Sequence, residues 1–203
     1  MNTARTAILI GPGDNGRRMS LDEFDSAEGR EGHLYELSRG VITVTDVPGL
    51  KHLAQVSELR RQLGAYDLAH RGRIHTIAGG SDCKILLAGL ESERHPDIGL
   101  YKSAPANDPD VWSTWIPEIV IEVVSRGSEY RDYEEKREEY LQFGVLEYWI
   151  VDAAKGEILV LRRFRGRWTE RPVRPPQTYK TRLLPGFELD PAPVFEAAAM
   201  AGE

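Results

Sequence analysis

Short apolar runs separated by turn-forming residues dominate the chain. The most apolar, Ile119-Val120-Ile121-Glu122-Val123-Val124, predicts a strand. Its alternation puts Ile121 and Val123 on one face and Val120, Glu122 and Val124 on the other. Further strands are predicted at Ile74–Ile77, Lys84–Ala88, Pro96–Tyr101, Glu147–Val151 and Ile158–Leu161. Tyr35-Glu36-Leu37 and Val41-Ile42-Thr43-Val44 flank Ser38-Arg39-Gly40 and predict a β-hairpin. After Pro48-Gly49 the period becomes helical: Leu53, Val56, Leu59 and Leu63 recur, and Gly64 stands where a C-terminal cap belongs. A charged helix is predicted over Asp132–Phe143, closed by Gly144, with Tyr133, Tyr140 and Leu141 as its less polar residues. Ser20-x-x-Glu23 forms a capping box that opens a short helix. Residues 1–18 are expected to be irregular, because Gly11-Pro12-Gly13-Asp14-Asn15-Gly16 is turn chemistry throughout. Strands on both sides of a central helix predict an α/β (α+β) protein, a mixed β-sheet flanked by helices.

Composition narrows the function. With 41% hydrophobic and 29% charged residues in 203, a core is affordable and global disorder is excluded. The net charge of −6 excludes a uniformly basic nucleic-acid-coating protein but not a local basic face. Such a face is present in sequence: residues 162–182 carry eight Arg and Lys against the single Glu170. The lone Cys83 excludes an intramolecular disulfide and a Cys-rich zinc site, and is expected to be a small buried residue. His33, His52, His70, His75 and His95 show no metal-binding spacing and are expected at the surface or in packing. The glycines of residues 11–16 are followed by Arg17-Arg18 and not by the Lys-Ser/Thr pair of a P-loop, which disfavours nucleotide hydrolysis. No apolar run reaches the roughly 18 residues of a membrane span. The stretch Met1–Ile10 is too short for a secretory signal, so a cytoplasmic protein is expected.

Three residues stand out chemically. Glu122 interrupts an apolar strand, and a carboxylate buried there must meet a cation, a metal or a proton. It also fits a structural Glu paired with Arg, or a sheet end more exposed than it looks. Asp97 follows Pro96 at the start of a short strand. Two carboxylates on neighbouring strands can hold one Mg²⁺, which polarises a phosphoryl group and lowers the pKa of a water. Alone, Asp97 equally fits a turn-closing role. Lys136 lies on the helix after the Glu122 strand, where an ammonium could orient a nucleophile or stabilise developing charge. On spacing alone, Lys136 with Asp132 or Tyr140 is an ordinary i,i+4 pair on a solvated face.

Taken in order, Tyr35-Glu36-Leu37, His52, Pro96-Asp97, Ile121-Glu122-Val123-Val124-Ser125, Asp132-x-x-x-Lys136-x-x-x-Tyr140, Gly144-Val145-x-Glu147-Tyr148-Trp149-Ile150-Val151-Asp152 and Leu184-Pro185-Gly186-Phe187 resemble the Uma2 family of bacterial endonucleases. That family sits in the restriction-endonuclease-like PD-(D/E)XK superfamily. The resemblance covers roughly residues 19–196 as one nuclease domain, with 1–18 an N-terminal segment and 197–203 a C-terminal tail. It implies a mixed sheet flanked by helices and a site for Mg²⁺ or Mn²⁺ at the edge of the central strands. The implied reaction is hydrolysis of DNA phosphodiesters by a metal-activated water. Asp97 and Glu122 match the two acids of the superfamily pattern and are the implied metal ligands. Val124 stands where the usual lysine would be, and Lys136 matches the lysine that similar proteins supply from the next helix. Glu36 resembles an additional acid placed before the core. Ser125-Arg126-Gly127-Ser128 departs from the family's usual Ser-Pro-Ser-Thr. DNA would meet the basic segment through Arg163, Arg165 and Arg167, with Trp168 and Tyr179 as stacking groups; the same charges equally suit a protected edge strand. A homodimer stays open, because cutting both strands of a duplex commonly takes two sites. Two competing functions share the scaffold: a catalytically weak or inactive module that binds nucleic acid or a protein partner, and a hydrolase of small phosphoesters.

Overall fold

The structure, a computed structural model, describes residues 8–202. In chain order the elements are β1 (Ile8–Ile10), α1 (Leu21–Asp25), β2 (Ala27–Gly29), β3 (His33–Ser38), β4 (Val41–Asp46), α2 (Leu50–Ala69), β5 (Thr76–Ala78), β6 (Ile85–Leu87), β7 (Ser92–Arg94), β8 (Ile98–Tyr101), α3 (Val111–Thr114), β9 (Ile119–Val123), α4 (Lys136–Phe143), β10 (Glu147–Asp152), β11 (Glu157–Phe164), β12 (Arg167–Val173) and α5 (Pro191–Met200). Six strands form the main sheet in the order β12-β11-β10-β9-β8-β5. Only β9 and β10 in it run parallel, and the helical crossover they need is the one that delivers α4. A second sheet, β4-β3-β7-β6, and the parallel pair β1-β2 complete the mixed α+β fold.

The alternation of β9 sorts the interior into two layers. Ile119, Ile121 and Val123 join Leu59, Leu63 and Tyr66 of α2, Val194 of α5 and Trp149 on one face of the main sheet. Val120 and Ile150 join Tyr140 of α4, Tyr148 and Ile85 on the other. Glu122 therefore faces the α4 side, within the second layer. A smaller cluster of Ile10, Met19, Phe24, Leu37 and Ile42 fixes the N-terminal elements against β3 and β4.

Several expectations change. Residues 1–7 lie outside the described residues, but 8–18 are not wholly irregular: β1 pairs with β2, Ile10 is buried, and Arg18 bridges to Val41. Helix α2 continues five residues past Gly64, because Tyr66 in its last turns is buried in the core and donates to the Pro185 carbonyl at 3.0 Å. Helix α5 is an element beyond those expected, and strand β12 runs through the basic segment at the edge of the main sheet. Pro172 is tolerated there because β12 is the outermost strand. Helix α5 starts at an Asp190 cap and a Pro at its first position and packs against α2, so it crosses the expected boundary at residues 196/197. The capping box at Ser20 and Glu23 and the left-handed Gly144 cap of α4 form as expected, and Cys83 is fully buried. No helix among the described residues is long and apolar enough to cross a membrane.

Candidate active site

Strand β8 meets β9 antiparallel with Ile98 opposite Ile121. Continuing that register by one residue sets Asp97 opposite Glu122, on the face that looks toward α4. Directly opposed residues of an antiparallel pair bring their Cβ atoms to about 5 Å. The Asp97 carboxylate is held from two sides: Val123 N–H donates to its Oδ2 at 2.7 Å, and His52 Nε2 on α2 lies 3.0 Å from the same oxygen. Glu122 is 3% exposed, and its Oε1 accepts from the Tyr140 hydroxyl at 2.6 Å.

Lys136 is 5% exposed, which overturns the solvated-face alternative. Its Nζ stands 3.0 Å from Glu122 Oε1, 3.5 Å from Asp132 Oδ1 and 3.6 Å from Glu36 Oε1. The helix delivers it in an unexpected way. Residues Arg131–Glu135 form a π-turn directly before α4, in place of the regular helix expected from Asp132. Glu36, central in β3, accepts from His95 N–H at 3.1 Å and from the Arg94 guanidinium at 3.1 Å. Glu36, Asp97, Glu122 and Lys136 all line one cavity of about 280 Å³. His52 and His95 line it too, so these two histidines belong to the site and not merely to surface or packing.

The electrostatics separate two of the acids. Burial raises the Glu122 carboxyl, Lys136 opposes the shift, and Asp97, Asp132 and Glu36 add to it, leaving it at about 8. Glu36 is as deeply buried, but Lys136, Arg94 and Arg131 hold it down at about 2. For Lys136 burial works against the charge, yet Glu122, Glu36 and Asp132 more than offset it, so the amine stays an ammonium. His52 is raised: burial acts against its charge, and the hydrogen bond and charge of Asp97, with Glu122 and Asp132, together outweigh it. His95 is raised against burial by Glu93.

These shifts fix the sign of a pH dependence. Glu122 holds its proton in the folded protein and loses it in the unfolded chain between about pH 4.5 and 8, so stability falls as pH rises through that window. The raised histidines act in the same direction, their contribution being complete below about 6.5 and lost above it. Glu36 contributes in the opposite sense, and its share is lost only as pH falls from 4.5 toward 2. The melting temperature in EDTA is therefore expected to fall between pH 5 and 8.5, with a separate loss below pH 4. A flat or rising profile over pH 5–8.5 contradicts this charge assignment.

The turn after β5 is also constrained by the backbone of Asp97. A Cβ on Gly79 would lie 2.0 Å from the Asp97 carbonyl oxygen and 2.6 Å from Arg60 Nη2. Gly79→Ala is expected to push the Asp97 backbone away at a cost of about 1–3 kcal/mol in urea denaturation. An unchanged midpoint would show that the loop yields freely.

The family Uma2, described as "Putative restriction endonuclease", matches residues 21–192. The chain belongs to the Uma2 family. No curated protein matches it. Among solved structures, the Uma2 chain is similar to a crystal structure titled a "putative nuclease belonging to DUF820" from Anabaena variabilis, with a TM-score of 0.68 and 17% identity. That match covers 89% of this chain and 99% of the other, so the two share a fold.

The donor set of this Uma2 chain suits a hard cation. Among the described residues Glu122 Oε2 and Asp97 Oδ1 have no hydrogen-bond partner, while the other oxygen of each is fixed. No group of three or more His, Cys, Asp or Glu is arranged to hold a metal among those residues. An ion here would have two carboxylates and complete its shell with water and substrate oxygen, the habit of Mg²⁺.

The basic hairpin lies elsewhere. Glu122 pairs with Ile150 and Ile150 with Leu159, so Arg163 is four residues farther along β11, roughly 14 Å toward the opposite end of the sheet. Arg163, Arg165 and Arg167 are exposed there. Tyr179 is not available for stacking: it is 2% exposed, and its hydroxyl donates to Glu147. Trp168 is half-buried and donates to the Arg137 carbonyl. Arg94, Arg131 and the Tyr140–Glu122 bond had no sequence signal of their own, because each acts through partners distant in the chain.

Proposed function

We propose that this Uma2 chain is a metal-dependent endonuclease that hydrolyses DNA phosphodiesters. One observation carries the reading: Asp97 and Glu122 oppose each other across two strands, and a buried ammonium stands 3.0 Å from Glu122 in the same cavity. Family membership supports it. Asp97 and Glu122 would hold Mg²⁺ or Mn²⁺, which when bound polarises a phosphoryl oxygen and acidifies a water. His52 and the Val123 amide keep one Asp97 oxygen occupied and so orient the other toward the cavity. Tyr140 does the same for Glu122. Lys136 is held protonated, so it serves as a cation and not as a base. It would orient the attacking water and stabilise negative charge building on the phosphoryl oxygens. Glu36 and Asp132 hold that ammonium in place from its other sides. The exposed Arg163, Arg165 and Arg167 would meet backbone phosphates of the same duplex farther from the cut, where counterion release adds sequence-independent affinity.

Calorimetric titration of Mn²⁺ tests the ligand assignment. The wild-type chain is expected to bind about one ion, and Asp97→Asn to weaken that binding by about 100-fold. Uptake that is unchanged by this variant refutes the carboxylate pair. A wild-type chain that binds duplex but takes up no Mn²⁺ would instead be a binding module on a nuclease scaffold.

A further inference from the structure

The acids of the cavity are already matched. Lys136 serves Glu122, Asp132 and Glu36, Arg94 shares Glu36, and His52 with the Val123 amide holds Asp97. One cation of the wall is left over. Arg131 lines the same cavity, yet among the described residues its side chain makes no ion pair and no hydrogen bond, and its Nε is buried without a partner. A guanidinium carries five donors in a rigid fork, and a buried donor with no acceptor is a standing cost that an incoming acceptor would relieve. Arg131 adds to the field that holds Glu36 down but bonds no protein oxygen, so its donors stay open to an acceptor from outside the chain.

The backbone explains why Arg131 faces inward. Arg131 and Lys136 are five residues apart, which in an α-helix of 3.6 residues per turn would splay them by about 140°. The π-turn Arg131–Glu135 closes over five residues and returns both side chains to one face. The result is a cavity with two opposed carboxylates, an ammonium committed to them, and a free planar cation beside them.

We infer that Arg131 grips the non-bridging oxygens of the phosphodiester on which the site acts, as the fork that seats a nucleic-acid phosphate beside the carboxylate pair. The inference rests on the nuclease reading and adds the group that recognises its substrate. Guanidinium and phosphate match in plane and spacing, which a lysine at this position would not reproduce. Inorganic phosphate offers the same oxygens, so the test has to separate the two sources.

Anisotropy of a fluorescein-labelled duplex, titrated with protein in Ca²⁺ to keep cleavage silent, tests this on wild type, Arg131→Gln and Arg131→Lys. Arg131→Gln is expected to weaken duplex binding about tenfold or more and to lower the slope of log affinity against log salt by about one. Arg131→Lys should recover the salt slope but not the affinity. Neither variant should lose more than a few degrees of melting temperature or any Mn²⁺ uptake relative to wild type, which separates a phosphate contact from a structural role. Equal duplex affinity and salt slope in wild type and Arg131→Gln overturn the inference. Binding of inorganic phosphate that needs Arg131, with no such dependence for the duplex, overturns its nucleic-acid assignment. Loss of Mn²⁺ uptake in the wild type itself would instead strike the carboxylate reading, so the two failures are distinguishable.

Discussion

Replacing Glu122 by Gln is expected to lower DNA cleavage by about 10³-fold or more while leaving the fold intact. The side chain keeps its shape, and the amide oxygen can still accept from Tyr140. What disappears is the negative charge that, with Asp97, would hold the cation. Charge stabilisation by such an ion is worth several kcal/mol, and each ~1.4 kcal/mol is a factor of ten in rate. Stability should not follow activity. Burial already pushes the Glu122 carboxyl to about 8, so a neutral amide suits the metal-free cavity at neutral pH. Lys136 retains Asp132 at 3.5 Å and Glu36 at 3.6 Å. The variant should therefore melt at or above the wild-type temperature in EDTA at pH 8 and show a flatter pH profile. Nicking by Glu122→Gln at the wild-type rate, or wild-type nicking that persists in EDTA, would remove Glu122 from the chemistry.

The legibility of this site in the sequence divides along local and non-local lines. The β9 pattern identified Glu122 as a charge on a buried face, because alternation is a property of neighbouring residues. The Ser20 capping box and the Gly144 cap were equally visible, being contained in a few consecutive positions. The opposition of Asp97 and Glu122 depends on the register between two strands, which no single segment encodes. Lys136 stands out by its place on the helix after the Glu122 strand and matches the family's lysine, but spacing alone favours a solvent-facing pair, and the π-turn that buries it has no pattern in the charges of residues 131–139. Helix α5 has no counterpart among the expected elements; Pro191 takes its first helical position, where its missing N–H costs nothing. Strand β12 reads as polar because it is an exposed edge, with only Val173 at its end buried.

The second large effect concerns a residue the sequence kept hidden. Arg94 sits in the polar run Ser92-Glu93-Arg94-His95, where no element is expected from the sequence, yet it is wholly buried and belongs to β7. Its Nε donates to Glu139 Oε2 at 2.6 Å and its Nη2 to Glu139 Oε1 at 3.2 Å, a two-pronged clamp on α4. Nη1 donates to Glu36 at 3.1 Å and Nη2 also to the Ser38 hydroxyl at 2.7 Å. One guanidinium thus ties β3 of the second sheet to the helix that carries Lys136. Arg94→Met is expected to cost about 3–5 kcal/mol in urea denaturation, because Glu139, itself wholly buried, would be left as an uncompensated charge. At roughly 2–4 °C per kcal/mol for a chain of this size, melting should drop by about 10 °C. Glu36 would lose one of the cations that hold it near 2, so the acid-side loss of stability should move to higher pH. Adding Glu139→Gln removes the stranded charge and should recover much of the loss, since the cost lies in breaking the pair and not in lacking it. A single variant within 1 kcal/mol of wild type, or a double variant no better than the single, would show that the second sheet and α4 are joined by packing alone.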